Sequence, residues 1–282
     1  MTRKALFFDI DGTLLTDGTK MLPKSAEEAV KKAREAGHMV FINTGRSRIL
    51  MQELEGRIEV DGYLCGCGTL IEVQGRKLMH HVISAERRFE IQKGILQHKL
   101  DGILEGPNGI FVQPGQSHMP GVQKVKDRFL GSGVMFEADW TKGPIMFDKF
   151  CVLQDENSDM DGFKKFLEPD FDWIDRGHNL FECVPKGFDK ATAMEFILHY
   201  FDIPWEESYA FGDSSNDLAM IKYACHSVIM EDHAEVLEPY AELITKKVEE
   251  DGIAYAFQVL NIVDIKIDQI SCEMLEISSG VY

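Results

Sequence analysis

The chain reads F-F-D-I-D-G-T-L-L from Phe7 to Leu15, so an apolar strand runs directly into two aspartates. Side chains at positions i and i+2 of an extended segment point to the same side, and Asp9 and Asp11 would therefore face one site. Two like charges there need a cation or a shared proton. If Mg²⁺ takes up the excess charge, one carboxylate can attack a phosphorus atom while its neighbour handles the proton of the leaving group. Taken alone, the same string also fits an acidic turn or a calcium loop.

Three further segments carry residues that suit a phosphoryl site. Thr44 follows an apolar strand, and its hydroxyl and the neighbouring amides could hold a phosphate oxygen, although Thr is also a common helix N-cap. Lys190 stands at a predicted helix start and would supply a cation, with Lys186 as the rival. Asp213 and Asp217 are four residues apart, and in a helix such positions share a face, although either could instead be a capping residue. The segments are A-G-H-M-V-F-I-N-T-G-R (Ala36–Arg46), P-K-G-F-D-K-A-T-A-M (Pro185–Met194) and S-Y-A-F-G-D-S-S-N-D (Ser208–Asp217).

These four segments, in this order, resemble the four motifs of the haloacid dehalogenase superfamily of phosphatases. The long stretch between the second and third motifs resembles the Cof-like branch, which has a large α/β cap. The resemblance implies that Asp9 is the nucleophile and that Asp11 is the general acid and base. It favours Lys190 over Lys186 as the catalytic lysine, because the x-P-x-G-x-x-K spacing is similar to that of the family.

The resemblance also implies a cofactor and its ligands. Mg²⁺ would be bound by Asp9, by the backbone carbonyl of Asp11 and by Asp213, with Asp217 in the outer shell. Such a set agrees with the preference of Mg²⁺ for oxygen ligands and retained waters. The residues implied to bind the phosphate are Thr44, Gly45, Lys190 and Asn216.

The order of elements predicts an α/β fold with a Rossmann-like parallel-sheet core and an inserted α/β cap domain. A helix over Ser25–Ala36 lies between two apolar strands, and this βαβ pattern is typical of a parallel sheet. The pattern changes near Ile83, so we expect a discontinuous core of residues 1–82 and 187–282 and a cap of residues 83–186. Further helices are predicted at Ser47–Leu54, Asn216–Ala224 and Ala234–Pro239.

The composition limits which binding partners and which cellular location fit the sequence. The 282 residues carry a formal net charge of −17 without a dense Lys/Arg cluster, which speaks against nucleic acid or an anionic membrane as partner. Six cysteines without C-x-x-C spacing, and no secretory leader before the first strand, predict a reduced cytoplasmic protein. No apolar run has the length needed to span a bilayer. Residues 262–282 match no part of the family pattern.

The function predicted from the sequence is hydrolysis of a small phosphorylated metabolite, such as a sugar phosphate, through an aspartyl-phosphate. Two alternatives stay open at this point. A phosphomutase or phosphotransferase on the same fold would use a substrate hydroxyl instead of water. A non-catalytic sensor of phosphorylated metabolites would keep the site without turnover, and the intact set of Asp9, Asp11, Lys190 and Asp213 argues against it.

Overall fold

The computed structural model describes residues 2–265, which form two compact units. The first unit contains the described chain up to Gly45, residues Leu54–Leu78 and the described chain from Asp189 onward. The second contains Arg46–Glu53 and Met79–Phe188. Most of the unmatched segment 262–282, from position 266 on, lies outside the described residues, as does Cys272.

Residues 2–265 form two sheets and seven α-helices, with short 3₁₀ helices between them. The strands are β1 (Ala5–Phe8), β2 (Met39–Asn43), β3 (Gly62–Cys65), β4 (Leu70–Val73), β5 (Arg76–His80), β6 (Asp101–Gly106), β7 (Gly109–Val112), β8 (Met135–Glu137), β9 (Lys149–Leu153), β10 (Phe171–Asp175), β11 (Leu180–Pro185), β12 (Ser208–Gly212), β13 (His226–Ile229) and β14 (Leu243–Ile244). The helices are α1 (Lys24–Glu35), α2 (Ala85–Gln97), α3 (Pro120–Phe129), α4 (Met160–Leu167), α5 (Lys190–Tyr200), α6 (Leu218–Tyr223) and α7 (Gly252–Val259).

The larger sheet has the strand order β14-β13-β12-β1-β2-β3-β4-β5. The strand β1 lies between β12 and β2 and is parallel to both, and β13, β14 and β3 extend the parallel part. All residues of β1, β2 and β12 are buried, as expected for strands covered on both faces. The rings of Phe8 and Phe211 stack across neighbouring strands with centroids 4.3 Å apart. The predicted α/β class with a parallel-sheet core is therefore confirmed.

One edge of this sheet is a meander of β3, β4 and β5, and its two turns differ in their surroundings. At Gly68, in the turn between β3 and β4, a Cβ would lie 2.6 Å from the carbonyl oxygen of Asp189. The turn between β4 and β5 is the pair Gln74 and Gly75, with φ of 49° and 72°, which fits a two-residue hairpin loop. A Cβ at Gly75 would meet no atom within 4 Å. The first turn is therefore packed tightly and the second is open.

The second unit contains the smaller sheet, with strand order β10-β11-β9-β6-β7-β8. Its pairs are antiparallel except β7 with β8, which is parallel. Alternate residues of β9, Phe150 and Val152, are fully buried and join the apolar faces of α2 and α4 in one core. Aromatic rings dominate this core, among them Trp140, Phe147, Phe150, Phe163 and Phe171.

Several predicted helices are wrong in type or extent. The segment predicted as a helix over Ser47–Leu54 is a 3₁₀ helix at Arg48–Glu53, and the helix predicted at Asn216–Ala224 begins with a 3₁₀ turn, Ser215–Asp217, before α6. The segment Ala234–Pro239 is also 3₁₀, at Glu235–Tyr240, and Pro239 inside it lacks the N–H that a longer α-helix would need. The strands β5, β8 and β14 and the helix α7 were not predicted from the sequence.

The five cysteines within residues 2–265 are free thiols. None of the helices in the same residues is long and apolar enough to cross a membrane.

Candidate active site

The predicted site residues follow three neighbouring parallel strands at the same end. Asp9 comes directly after β1, Thr44 after β2 and Asp213 after β12. Because β1 lies between β2 and β12, the carboxyl ends of these strands meet at one edge of the sheet, where open α/β folds bind ligands. Asp11, Gly45 and Asn216 lie on the loops that follow the same three strands.

The loop after β1 touches the loop after β12. Gly12 has φ of +82°, and a Cβ at this position would lie 2.6 Å from Oδ2 of Asp213. Thr13 donates a hydrogen bond of 2.6 Å from its hydroxyl to Oδ1 of Asp213. Glycine is therefore required at position 12 by both the turn and the close approach of Asp213. The Thr13 hydroxyl was not identified in the sequence, although it is part of the D-x-D-G-T string.

The Lys190 side chain contacts a carboxylate after β1 and another after β12. Its ammonium lies 2.5 Å from Oδ1 of Asp9 and also contacts Oδ1 of Asp217. The Lys190 and Asp217 side chains are 1% and 0% exposed, so this ion pair network is buried. Oδ2 of Asp217 accepts hydrogen bonds from the backbone N–H groups of Asp213, at 3.0 Å, and of Ser214, at 2.9 Å. Asp217 thus fixes both the lysine and the backbone that carries Asp213.

Local interactions set the position of Lys190 at the start of α5. Asp189 caps the helix by accepting the N–H of Thr192 at 2.7 Å, and the Thr192 hydroxyl accepts the N–H of Asp189. Asn43, the last residue of β2, donates from Nδ2 to the carbonyl of Lys190 at 2.8 Å. Sequence analysis missed Asn43, whose only signal is a buried amide at the end of an otherwise apolar strand.

Three carboxylates crowd around the single ammonium of Lys190. One oxygen from each of Asp9, Asp213 and Asp217 lies within 4.8 Å of the others. Burial raises the pKa of Asp9 to about 6, against the attraction of Lys190, and the charge of Asp217 adds to the rise. Burial also raises the pKa of Asp213 to about 8, with repulsion from Asp9 and Asp217 as further causes. Burial disfavours the Lys190 ammonium, but attraction from Asp217 and Asp9 outweighs it and raises the pKa of the lysine.

The donor set fits a divalent cation. It consists of carboxylate oxygens, the ligands that hard cations prefer, and its negative charge exceeds the charge of the one lysine within it. A cation at Asp9 and Asp213 would relieve the repulsion that, after burial, contributes to both raised pKa values. The geometry therefore supports metal binding at this cluster.

The remaining predicted residues have defined surroundings. Thr44 is buried. Its own N–H donates to the carbonyl of Leu64 in the sheet, so this N–H is not directed at a phosphate. Asn216 is half-buried, and its Oδ1 accepts the hydroxyl of Ser214. Lys186 is exposed and donates to the carbonyl of Glu168, whereas Lys190 contacts Asp9. The contact with Asp9 favours Lys190 over Lys186 as the cation of the site.

Comparisons with known proteins agree on one family. A family model described as haloacid dehalogenase-like hydrolase matches residues 6–257. The chain is 29% identical to the "Putative phosphatase YkrA" of Bacillus subtilis over 93% of this chain and 99% of that protein. It is 25% identical to the 5-amino-6-(5-phospho-D-ribitylamino)uracil phosphatase YwtE of the same organism, covering 89% and 96% of the two chains.

A solved structure has the same fold over nearly the whole chain. It is the sugar phosphatase BT4131, described as a member of subclass IIB of the same superfamily. The TM-score is 0.76 at 26% identity, and the match covers 92% of this chain and 100% of that one.

The raised pKa of Asp213 predicts a stabilising substitution. The carboxyl titrates near pH 8 in the folded protein and near its ordinary value of 3.8 when unfolded, so stability falls as pH rises between these values. Asparagine cannot ionise, and its carbonyl can still accept the Thr13 hydroxyl. We expect Asp213→Asn to unfold at a higher temperature than wild type at about pH 8.5 in chelator, and the difference to shrink towards about pH 4.

Thermal unfolding across this pH range measures the effect. Asp232→Asn makes the same substitution at a carboxylate that is 72% exposed and serves as the control. An Asp213→Asn protein that is less stable than wild type at the alkaline end would contradict the electrostatic account of the cluster.

Proposed function

The chain belongs to the haloacid dehalogenase-like hydrolase family, and we propose that it is a Mg²⁺-dependent phosphatase of small phosphorylated metabolites, with Asp9 as the nucleophile. The observation that carries the proposal is the position of the Asp9 carboxylate, which is buried at the carboxyl end of β1 and held by Lys190 at 2.5 Å. A fixed carboxylate beside a cation, with further carboxylates to bind a metal, is suited to attack on a phosphate ester.

The known relatives support the reaction class. The two matched proteins of Bacillus subtilis and the matched structure are all described as phosphatases. One of them is described as a 5-amino-6-(5-phospho-D-ribitylamino)uracil phosphatase and another as a sugar phosphatase, so phosphatase chemistry is common to them while the substrates differ. We therefore propose hydrolysis of phosphoric monoesters and leave the ester to be identified by a screen of phosphorylated metabolites with detection of inorganic phosphate.

The first step would be attack by Asp9. Its Oδ1 contacts Lys190, which orients the carboxylate and offsets charge on the transferring group. The bond from phosphorus to the ester oxygen breaks as the bond to the Asp9 carboxylate forms, which gives an aspartyl-phosphate. Residues proposed to hold the phosphate oxygens are Thr44, Gly45, Lys190 and Asn216.

Asp11 would handle protons in both half-reactions. It donates a proton to the departing alcohol and then removes one from the water that hydrolyses the aspartyl-phosphate. Its position two residues after Asp9, on the loop that follows the same strand, supports this role. Release of inorganic phosphate returns Asp9 and Asp11 to their starting states.

Asp9, Asp213 and the backbone carbonyl of Asp11 would hold Mg²⁺, with Asp217 behind them. When bound, the ion supplies positive charge that offsets the carboxylates and the transferring phosphoryl group. Asp217 would act indirectly, because its oxygens already contact Lys190 and the N–H groups of Asp213 and Ser214.

The cytoplasmic location stays a prediction, and cell fractionation tests it.

Replacing the nucleophile tests the proposed chemistry. Asn has nearly the shape of Asp but no anionic oxygen, and Lys190 keeps its ion pair with Asp217, so Asp9→Asn should still fold and lose turnover by a factor of about 10³ or more. The measurement is kcat with 4-nitrophenyl phosphate, together with circular dichroism and the unfolding temperature. Near-normal hydrolysis by a folded variant would rule out covalent catalysis by Asp9.

Metal removal tests the proposed cofactor. A chelator should abolish phosphate release and added Mg²⁺ should restore it, because two buried carboxylates are expected to contact one ion. Asp213→Ala should need on the order of 100-fold more Mg²⁺ or stay inactive. Glu28→Ala, which removes a carboxylate that is 41% exposed on α1, is the control. Full activity in excess chelator would refute the metal site.

We further propose that residues 83–186 act as a cap that selects the substrate. In the turn before β11, Arg176 lies 3.9 Å from Glu182, and His178 has φ of +51°. Ala substitutions at Arg176 and His178 should change kcat/KM unequally among phosphate esters, with a small aryl ester affected least. Arg128→Ala, at an exposed arginine of α3, is the matched control. Equal losses for all esters, or no loss, would show that this turn does not select the substrate.

A further inference from the structure

Lys20 forms an ion pair with Asp11. Its ammonium lies 2.7 Å from Oδ1 of Asp11, and the two side chains are 27% and 35% exposed. Asp17 lies farther from the same ammonium, at 3.6 Å, and is 82% exposed. Solvent screens the Asp17 pair more strongly, so Asp11 is the principal partner of Lys20. Lys20 lies outside the four motif segments of the sequence.

The backbone of Lys20 is held on both sides. Its N–H donates to the carbonyl of Thr16 at 3.2 Å, and its own carbonyl accepts a hydrogen bond of 2.9 Å from Arg57. Thr16 also pairs with Met21, through a backbone hydrogen bond of 3.0 Å and a hydroxyl contact of 2.9 Å. The φ of Lys20 is +54°, a conformation that non-glycine residues adopt rarely. These hydrogen bonds fix the position of the Lys20 backbone, from which the side chain reaches Asp11.

We propose that Lys20 is a positioning residue that holds the Asp11 carboxylate for proton transfer to and from the reacting oxygen. The inference rests on the proposed function, in which Asp11 is the general acid and base. A proton donor must lie within hydrogen-bond reach of the oxygen that it protonates. Misplacement of a reacting group by about 1 Å can cost about 10²-fold in rate. The Asp11 side chain is 35% exposed, and the contact with Lys20 restricts its rotation in both protonation states, because an ammonium can donate to a carboxylate oxygen or to the carbonyl oxygen of a protonated carboxyl.

The competing interpretation is an ordinary surface ion pair. Such pairs contribute little to stability and nothing to chemistry. The two interpretations differ in how the effect of removing Lys20 depends on the leaving group. An alkoxide is strongly basic and leaves slowly without a proton, whereas 4-nitrophenolate is weakly basic and leaves without one. A residue that acts through the general acid matters for the first ester and much less for the second.

The experiment compares Lys20→Met with wild type on two esters at saturating Mg²⁺. The esters are the most active alkyl phosphate of the metabolite screen and 4-nitrophenyl phosphate. We expect kcat/KM for the alkyl ester to fall by about tenfold to a hundredfold, mainly in kcat, and for the aryl ester by less than about threefold. Lys31→Met removes the same charge at an exposed position of α1 and should affect neither ester. Lys20→Arg keeps the charge and should recover part of the alkyl activity.

A second comparison asks whether Lys20 acts through Asp11. In the Asp11→Asn background, Lys20→Met should cause little further loss, because the group that it positions is already disabled. Equal losses for both esters, no loss, or a full additional loss in the Asp11→Asn background would overturn the inference. Absence of phosphate release by wild type from every ester would instead refute the proposed function. Unfolding temperatures of all variants separate a folding defect from these outcomes.

Discussion

The burial of one ammonium between two carboxylates is the interaction on which the site depends. Lys190 contacts Asp9 at the end of β1 and Asp217 after β12, and its carbonyl accepts the amide of Asn43 at the end of β2. One side chain and its backbone thus connect three adjacent strands. Removing one partner of a buried ion pair typically costs about 3–5 kcal/mol, because the other charge stays buried without compensation. The arrangement of the site and the stability of the core are therefore linked at Lys190.

The site carries an excess of negative charge, and the proposed binding of a metal cation depends on that excess. Lys190 compensates only part of the negative charge of Asp9, Asp213 and Asp217, and burial together with the remaining repulsion raises the pKa values of Asp9 and Asp213. The whole chain carries a formal net charge of −17, which would repel a phosphate ester at long range. Substrate binding then needs positive charge placed locally, which the buried lysine supplies and the proposed cation would add to. This explains why a strongly acidic protein can still act on anions.

Much of the fold was predictable because its signals are local. Apolar runs such as M-V-F-I-N, and the Pro and Gly residues around α1, gave the central strands and helices to within a residue or two. The missed strands β5, β8 and β14 are short or polar, so their apolar pattern is weak. The 3₁₀ segments were predicted as helices because short stretches of both types share an i to i+3 or i+4 apolar spacing. The order of four motifs indicated the candidate site, but Asn43, Thr13 and Lys20 were missed, since each acts through a partner that only folding brings close.

The two turns of the β3-β4-β5 meander have different consequences for how the chain can lengthen. The turn at Gly68 packs against the carbonyl of Asp189, the residue that caps the helix of Lys190, so an inserted residue there would displace Lys190. The turn at Gln74 and Gly75 faces open space, so an inserted residue there would not displace Lys190. Length variation among relatives should therefore accumulate at the second turn and be absent from the first. The same turn is the natural place to splice in a peptide tag or a fluorescent reporter without disturbing phosphate release.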